Sequence, residues 1–292
     1  MQLSKLDFVD MRKDGEFEYF GKLGRTYLKN SISFINSEKY INLVDDKISC
    51  IVCTEELYPF FQKRNMGIIV SSNPKSTFYK IYLTLFQKGY FEYFKNEIST
   101  ESTISSRALI ANRGVKIGKN CIVEDNVIIR AGTIIEDNVI IRNNSILGSE
   151  GFEVAEIDGI NKIIPHSGCC FIKKNVEILN NTCVCKGLFQ GYDTILEENV
   201  KIDNFVQIAH AVKIGKNTEI AAGTVISGNT SIGNHVWIGP NVTISNGLKI
   251  GNNVRINLGA VVVNNLSDNL QVSGNFAYDH QKFLKNFARK QI

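Results

Sequence analysis

The sequence contains four histidines, and His210 stands in a setting suited to acid–base chemistry. It lies in the polar stretch KIDNFVQIAHAVKIG, and an imidazole that titrates near neutral pH can take the proton that an amine loses when it attacks a thioester. The tetrahedral oxyanion of such a reaction needs a fixed hydrogen-bond donor, and the residue eighteen positions after His210 is Gly228, whose amide carries no side chain. On the residues alone, a solvated histidine at a turn is the alternative interpretation. The fold must decide whether the two groups meet.

An aliphatic residue at every sixth position determines the predicted fold. The series has no exception over twelve steps: Leu196, Ile202, Ile208, Ile214, Ile220, Ile226, Ile232, Ile238, Ile244, Ile250, Ile256 and Val262. An earlier series with the same period runs from Ile117 to Leu147, and a short run from Ile172 to Val184 joins the two. Neither the period of an α-helix nor that of a simple strand fits this spacing.

A repeat of six residues predicts a mainly β fold, the left-handed parallel β-helix. Three hexads form one triangular coil of eighteen residues, and successive coils stack at about 4.8 Å. Branched side chains fill the core, while Gly and Asn accept the positive φ of the corners. Residues eighteen apart therefore lie above one another, which places Gly228 over His210. His210 is at a polar corner, so we expect its ring to face the cleft between neighbouring subunits.

The repeat divides the chain into three predicted regions. Residues 1–100 lack it and contain most of the aromatic residues, which predicts an α/β unit with strands at 48–53 and 67–70 and an amphipathic helix bearing Leu83 and Phe86. The coils are expected over 104–265, interrupted by two loops. The tail, 266–292, is predicted to contain a short helix with an apolar face formed by Phe283, Leu284 and Phe287.

Two loops interrupt the coils, at residues 148–170 and 186–194, and we expect them to contain functional residues. Loops that break so regular a scaffold commonly contain such residues.

Composition excludes several classes of protein. A net charge of +4 is too small to indicate a nucleic-acid partner. The seven cysteines are an odd number, and the amino-terminal residues form no apolar signal region, which together predict a cytoplasmic location. Eighteen apolar residues never run together, so we expect peripheral membrane contact at most. A zinc site is not predicted, because only His210 and His235 lie in the long array and the paired cysteines are typical core residues.

The stretches Ile202-Asp203-Asn204 and Gln207-Ile208-Ala209-His210 resemble the catalytic segment of the UDP-3-O-acylglucosamine N-acyltransferases of lipid A biosynthesis. This resemblance implies that His210 is the general base, that Asn204 helps to place the amine, and that the Gly228 amide stabilises the oxyanion. It also implies a homotrimer that takes its acyl group from the phosphopantetheine thioester of acyl carrier protein, or from coenzyme A. The acceptor would be a UDP-linked amino sugar, and no cofactor would be bound permanently.

Further residues resemble the substrate-binding positions of this family. Gly151 and Phe152 lie in a stretch similar to its substrate loop, and His166 lies in a similar Ile-Pro segment. Phe34 and Tyr40 are spaced like the aromatic pair that sandwiches the uracil ring, and stacking is the physical reason for two such rings.

The sequence also departs from the family. Gly247 replaces a second active-site histidine, Glu153 replaces a glycine of the substrate loop, and Cys185-Lys186-Gly187 replaces an Asp-Arg-Gly segment. The sugar and the acyl chain therefore stay open, and a modified amino sugar for surface glycans is an alternative acceptor. Two other functions also remain: an acetyl-CoA-dependent nucleotide-sugar N-acetyltransferase and a non-catalytic β-helix scaffold.

Overall fold

The first unit of the chain is a five-stranded sheet. The computed structural model describes residues 1–274 and 281–282. The strands of this sheet are Asp10–Lys13, Tyr19–Phe20, Ser31–Phe34, Ile48–Cys53 and Gly67–Val70. The fifth strand lies between the first and the fourth, and only the first strand is antiparallel to its neighbour. The strands predicted at 48–53 and 67–70 are confirmed.

A fourteen-residue helix, Pro74–Gln87, packs against this sheet. The Asn73 side chain caps its first turn by accepting a hydrogen bond from the Ser76 amide at 3.1 Å. The remaining helical segments are short: Leu3–Lys5, Glu38–Leu43, Glu55–Leu57 and Tyr58–Phe61.

The predicted helix exists, but a different face of it is buried. Phe78, Tyr82 and Leu85 are almost fully buried, whereas the predicted Leu83 and Phe86 are only half-buried. The Phe78 and Tyr82 face packs against Phe20 of the sheet and against Phe189, which the shorter interruption of the coils contributes. The sequence of the helix alone does not reveal these contacts.

The remainder of the described chain is a left-handed β-helix with three parallel sheets as its faces. One face has eight strands: Glu97–Ile98, Val115–Ile117, Thr133–Ile135, Cys170–Ile172, Thr194–Leu196, Lys213–Ile214, Ser231–Ile232 and Lys249–Ile250. The second has nine: Thr103–Ile104, Ile122–Val123, Ile140–Ile141, Glu177–Ile178, Lys201–Ile202, Glu219–Ile220, Trp237–Ile238, Arg255–Ile256 and Gln271–Val272. The third has eight: Leu109–Ile110, Ile128–Ile129, Ile146–Ser149, Cys183–Cys185, Gln207–Ile208, Val225–Ile226, Thr243–Ile244 and Val261–Val262. These strands extend beyond 104–265 at both ends.

The predicted register of eighteen residues holds through the long array. Gln207 pairs with Val225, and Ile208 pairs with Ile226. Every residue of the aliphatic series from Leu196 to Val262 is at most 5% exposed, which confirms that this column fills the core. Burial of each such side chain stabilises the fold by roughly 1.5–3 kcal/mol.

Asparagine residues build the corners, as the sequence predicts. Asn138, Asn175 and Asn199 adopt left-handed backbone conformations with φ near 60°. Their side-chain amides form a ladder, because Asn138 donates to Asn175 at 3.3 Å and Asn175 donates to Asn199 at 3.1 Å. Asn tolerates this φ and satisfies its own amide, so the corners have little strain.

The two interruptions attach the first unit to the coils. The shorter one contributes Phe189, whose ring centroid lies 5.1 Å from that of Tyr82 and 5.8 Å from that of Phe78. The longer one forms a hairpin with strands Val154–Ile157 and Ile160–Ile163, and it packs on the main helix. The first unit is therefore held beside one corner of the coils.

Two further sequence predictions concern the tail helix and membrane-spanning segments. The predicted tail helix with Phe283, Leu284 and Phe287 lies outside the described residues. Within residues 1–274 and 281–282, no helix is both long enough and apolar enough to cross a membrane.

Ile140 and Ile141 provide a matched test of the core column, because they are adjacent in one strand and point to opposite sides. Ile141 is fully buried, and Ile140 is partly exposed. Ile141→Ala is expected to lower the free energy of unfolding by about 2–5 kcal/mol, since it leaves a cavity. Ile140→Ala should cost about 1 kcal/mol or less. Urea denaturation followed by circular dichroism measures both, and equal losses would contradict the inward placement of Ile141.

Candidate active site

His210 and Gly228 lie in contact on successive coils. A Cβ added to Gly228 would lie only 2.8 Å from Nε2 of His210, so the glycine is the residue that fits there. The Asn229 amide donates to the His210 carbonyl oxygen at 2.9 Å and holds the two coils in this register. The predicted position of Gly228 above His210 is confirmed.

The Gly228 amide is available to a ligand. Among residues 1–274 and 281–282, its N–H donates no hydrogen bond to a protein acceptor. A backbone N–H left without a partner beside an imidazole matches the requirement for an oxyanion donor.

The loop at residues 148–170 covers the His210 ring. A Cβ at Gly151 would lie 2.6 Å from Nδ1 of His210 and 2.7 Å from Nε2 of His166, so the glycine separates two imidazoles. The two rings have centroids 5.4 Å apart. His210 is consequently only 8% exposed. The sequence suggested a corner ring facing a cleft between subunits, but a loop of the same chain already encloses it.

This enclosure changes the acidity of His210. Burial, assisted by the nearby His166, lowers its pKa to about 4, although the Glu153 carboxylate acts in the opposite direction. The ring is therefore neutral at physiological pH. Its Nδ1 has no hydrogen-bond partner among the described residues, whereas Nε2 lies 3.4 Å from the Asn229 side-chain nitrogen.

Glu153 connects the His210 ring to the first unit. One of its carboxylate oxygens lies 4.0 Å from Nε2 of His210, and both lie 3.2 Å from Nζ of Lys22. The Tyr79 hydroxyl donates to this carboxylate at 2.5 Å. Burial alone would raise the pKa of Glu153, but Lys22 and Tyr79 outweigh it and hold the pKa below its ordinary value. A carboxylate is thus kept ionised beside the imidazole.

A second buried network holds the loop in place. The Glu150 carboxylate accepts a hydrogen bond from the His166 amide at 2.5 Å, and it lies 3.2 Å from Nζ of Lys186. Lys186 is buried and also donates to the Tyr93 hydroxyl at 3.0 Å. Because unpaired buried charges are costly, these contacts fix the loop against the coils.

Two adjoining cavities contain most of the predicted substrate residues. The first, of about 810 Å³, is lined by His210, Gly228, Gly151 and the 83% exposed Phe152. His166 does not line it, because its fully buried ring lies behind Gly151. This space is called the His210 cavity below.

The second cavity, of about 400 Å³, lies in the first unit and is lined by both members of the predicted aromatic pair, Phe34 and Tyr40. Lys22 and Glu153 line this cavity as well as the His210 cavity. The two spaces therefore meet at this ion pair.

Asn204 is not brought to the His210 cavity within one chain. Its side-chain oxygen accepts hydrogen bonds from the amide and the side chain of Asn180, both at 2.9 Å, and its side-chain nitrogen donates to Asp203 at 2.7 Å. The role that the resemblance implies for Asn204 stays a prediction. In the described part of the chain, no three His, Cys, Asp or Glu side chains are grouped to hold a metal ion.

Sequence reasoning identified His210, Gly228, Gly151 and Phe152 but missed the contacts that surround them. Lys22 gave no signal, because a lone lysine in the first unit resembles any surface lysine. Glu153 was noticed only as a departure from the family. The sequence gives no further signal for it, because Glu150 and Glu156 are acidic residues of the same loop.

Comparison with known proteins finds hexapeptide repeats in the coils. The family model "Bacterial transferase hexapeptide (six repeats)" matches residues 114–149, 193–228 and 229–264. The UDP-3-O-acylglucosamine N-acyltransferase of Helicobacter pylori strain J99 is 32% identical over 218 residues, which cover 62% of this chain and 60% of that protein. The enzyme of the same name from Anaeromyxobacter dehalogenans is 38% identical over 105 residues, covering 34% of this chain and 29% of that protein. These relatives confirm the resemblance, and the chain spans about 60% of the length of the first of them.

Solved structures show the same fold. The UDP-N-acetylglucosamine acyltransferase of Campylobacter jejuni superposes with a TM-score of 0.52 at 16% identity, covering 67% of this chain and 81% of that one. The Francisella novicida UDP-N-acetylglucosamine acyltransferase gives a TM-score of 0.50 at 20% identity, covering 65% of this chain and 73% of that one.

The low pKa of His210 can be measured by NMR on protein with labelled histidine side chains, with the signal assigned from His210→Gln. We expect the ring to stay neutral from pH 8 to pH 5.5, since its pKa is lowered to about 4. Glu153→Gln should lower the pKa further, because the carboxylate favours the charged imidazolium. Glu156→Gln is the control, since Glu156 is an exposed residue of the same hairpin. A midpoint near 6.5 for His210 would contradict the enclosed ring.

Proposed function

We propose that this relative of the UDP-3-O-acylglucosamine N-acyltransferases moves an acyl group from a thioester to the amine of a UDP-linked amino sugar. The observation that carries the proposal is the contact of His210 with Gly228, whose amide is free, at the wall of a cavity of about 810 Å³. The names of the relatives support a nucleotide-sugar acceptor.

The amine nitrogen attacks the thioester carbonyl carbon and forms a new C–N bond. The nitrogen becomes positively charged and acidic, so even a weak base can remove its proton. His210 is suited to this step because its lowered pKa keeps it unprotonated. The imidazolium that results gains from the Glu153 carboxylate 4.0 Å away.

The carbonyl oxygen carries the negative charge of the tetrahedral intermediate. The Gly228 amide donates to this oxygen, and its position is set by the coil rather than by a mobile side chain. Collapse of the intermediate breaks the C–S bond, and the thiolate takes the proton held by His210. The products are an amide and a free thiol, and the imidazole returns to its neutral form.

The acceptor would extend across both adjoining cavities. Phe34 and Tyr40 would take the uracil ring, and the amino sugar would reach the His210 cavity past Lys22 and Glu153. Phe152, which is 83% exposed at the rim, would close over the bound sugar or the acyl chain.

Acyl carrier protein is the proposed donor, and coenzyme A is the alternative thioester. A homotrimer, a cytoplasmic location and a role for Asn204 stay predictions. Asn204 lies on a different corner from His210, so a neighbouring subunit would have to bring it to the amine.

His210→Ala is expected to lower turnover at least a hundredfold, as for loss of a general base, while the protein stays folded. His235→Asn is the matched control, because His235 lies at an exposed corner with φ of 56° and Asn occupies most such corners. Turnover is measured by mass spectrometry with acyl carrier protein and coenzyme A thioesters. Unchanged turnover in His210→Ala would exclude the proposed mechanism.

A further inference from the structure

A third cavity, of about 720 Å³, lies between the first unit and the coils, and four cationic side chains surround it. The first unit contributes Arg25 and Lys47, and the coils contribute Lys213 and Lys249. All four come from separate segments of the chain, so the fold brings the charges together and they do not reflect one basic stretch of sequence. This space is called the basic cavity below.

Protein carboxylates compensate these charges only in part. Among residues 1–274 and 281–282, Asp45 is the one acidic residue that lines the cavity, and the carboxylate of Asp193 interacts with the charge of Lys213. Within residues 1–274 and 281–282, none of the four cations forms an ion pair. The cavity therefore has an excess of positive charge, and its concave shape concentrates the resulting field on a bound anion.

Gly247 makes room for one of these cations. It has a φ of 73°, and a Cβ at this position would lie 3.3 Å from Nη2 of Arg25. A side chain here, such as the histidine that the family resemblance leads one to expect, would press against the end of Arg25, which would have to shift by a few tenths of an ångström. At the position of Gly247, the family resemblance implies a histidine that belongs to the coil. In this chain, Arg25 of the first unit lies there instead.

The basic cavity shares lining residues with the other two cavities. Asn229 lines both the basic cavity and the His210 cavity, and Leu43 lines both the basic cavity and the aromatic cavity of Phe34 and Tyr40. The Gly247 amide donates to the Gly228 carbonyl oxygen at 2.9 Å, so the cavity begins one coil above the proposed oxyanion donor. The basic cavity therefore adjoins the cavity in which the reacting atoms would lie.

We propose that the basic cavity binds a phosphate group, with Arg25 as its principal ligand and with Lys213 and Lys249 beside it. A guanidinium presents paired N–H donors that match phosphate oxygens, and the lysines add point charges. The hydroxyls of Thr26 and Ser231 also line the cavity and are suited to the same oxygens. The source of this phosphate rests on the proposed function, which supplies two: the diphosphate of the nucleotide and the phosphopantetheine of the acyl donor.

Calorimetric titration of the full-length protein tests the site with four probes. UDP is compared with uridine, and 4′-phosphopantetheine is compared with pantetheine, so that each pair differs in its phosphate. We expect the wild-type protein to bind one phosphorylated probe at least tenfold more tightly than its phosphate-free partner. Arg25→Gln should remove this preference, and the pair that loses it identifies the source of the phosphate.

Arg113→Gln is the matched control, because it removes the same charge from an exposed arginine outside the basic cavity. Arg113→Gln should keep the preference for the phosphorylated probe, and Lys249→Gln should reduce this preference. Two results would overturn the proposal: no phosphate preference in the wild-type protein, or equal preference in the wild-type protein and Arg25→Gln. These outcomes concern binding alone, so they are independent of acyl transfer. A protein that binds phosphate through Arg25 without turnover would disprove the proposed function and leave this site standing.

Discussion

The backbone hydrogen bonds between successive coils are the constraint on which the rest of this structure depends. They fix Gln207 and Ile208 against Val225 and Ile226, and this register sets the position of His210 relative to Gly228. The Asn229 amide bonds to the carbonyl of His210, which leaves the adjacent Gly228 amide free beside the imidazole. Because side chains alternate between core and surface, a slip of one residue would turn the core column outward. The same register of the coils therefore sets the positions of both the base and the oxyanion donor.

The electrostatic properties of the site follow from the loop at 148–170, which interrupts the coils. The loop at 148–170 removes His210 from water, and desolvation makes its charged form costly. The same loop supplies Glu153, a carboxylate that favours the charged form and is itself held by Lys22 and Tyr79. A ring that is neutral at rest and stabilised once protonated is suited to taking up a proton briefly and returning it.

The sequence predicted those features that repeat and missed those that depend on contact between distant segments. A period of six is sufficient to derive the coils, the buried column and the position of Gly228, because each follows from local geometry applied again at every turn. The ion pair between Lys22 and Glu153 joins residues 131 positions apart, and no periodicity indicates it. The helix of the first unit illustrates the same limit, since its Phe78 and Tyr82 face packs against both the sheet and Phe189, a residue more than 100 positions away. Asn204 illustrates the opposite error. The resemblance to a motif predicted that it lies near the base, but the coil places it at a different corner.

The chemical nature of the product tests the central claim of N-acylation most directly. The purified protein is incubated with a UDP-linked amino sugar and an acyl thioester, and the product is analysed by mass spectrometry before and after treatment with hydroxylamine at alkaline pH. An amide survives this treatment and an ester is cleaved, so the account predicts a product whose added acyl mass persists. An acylated product that hydroxylamine returns to the starting sugar, or no acylated product with any thioester donor, would contradict it.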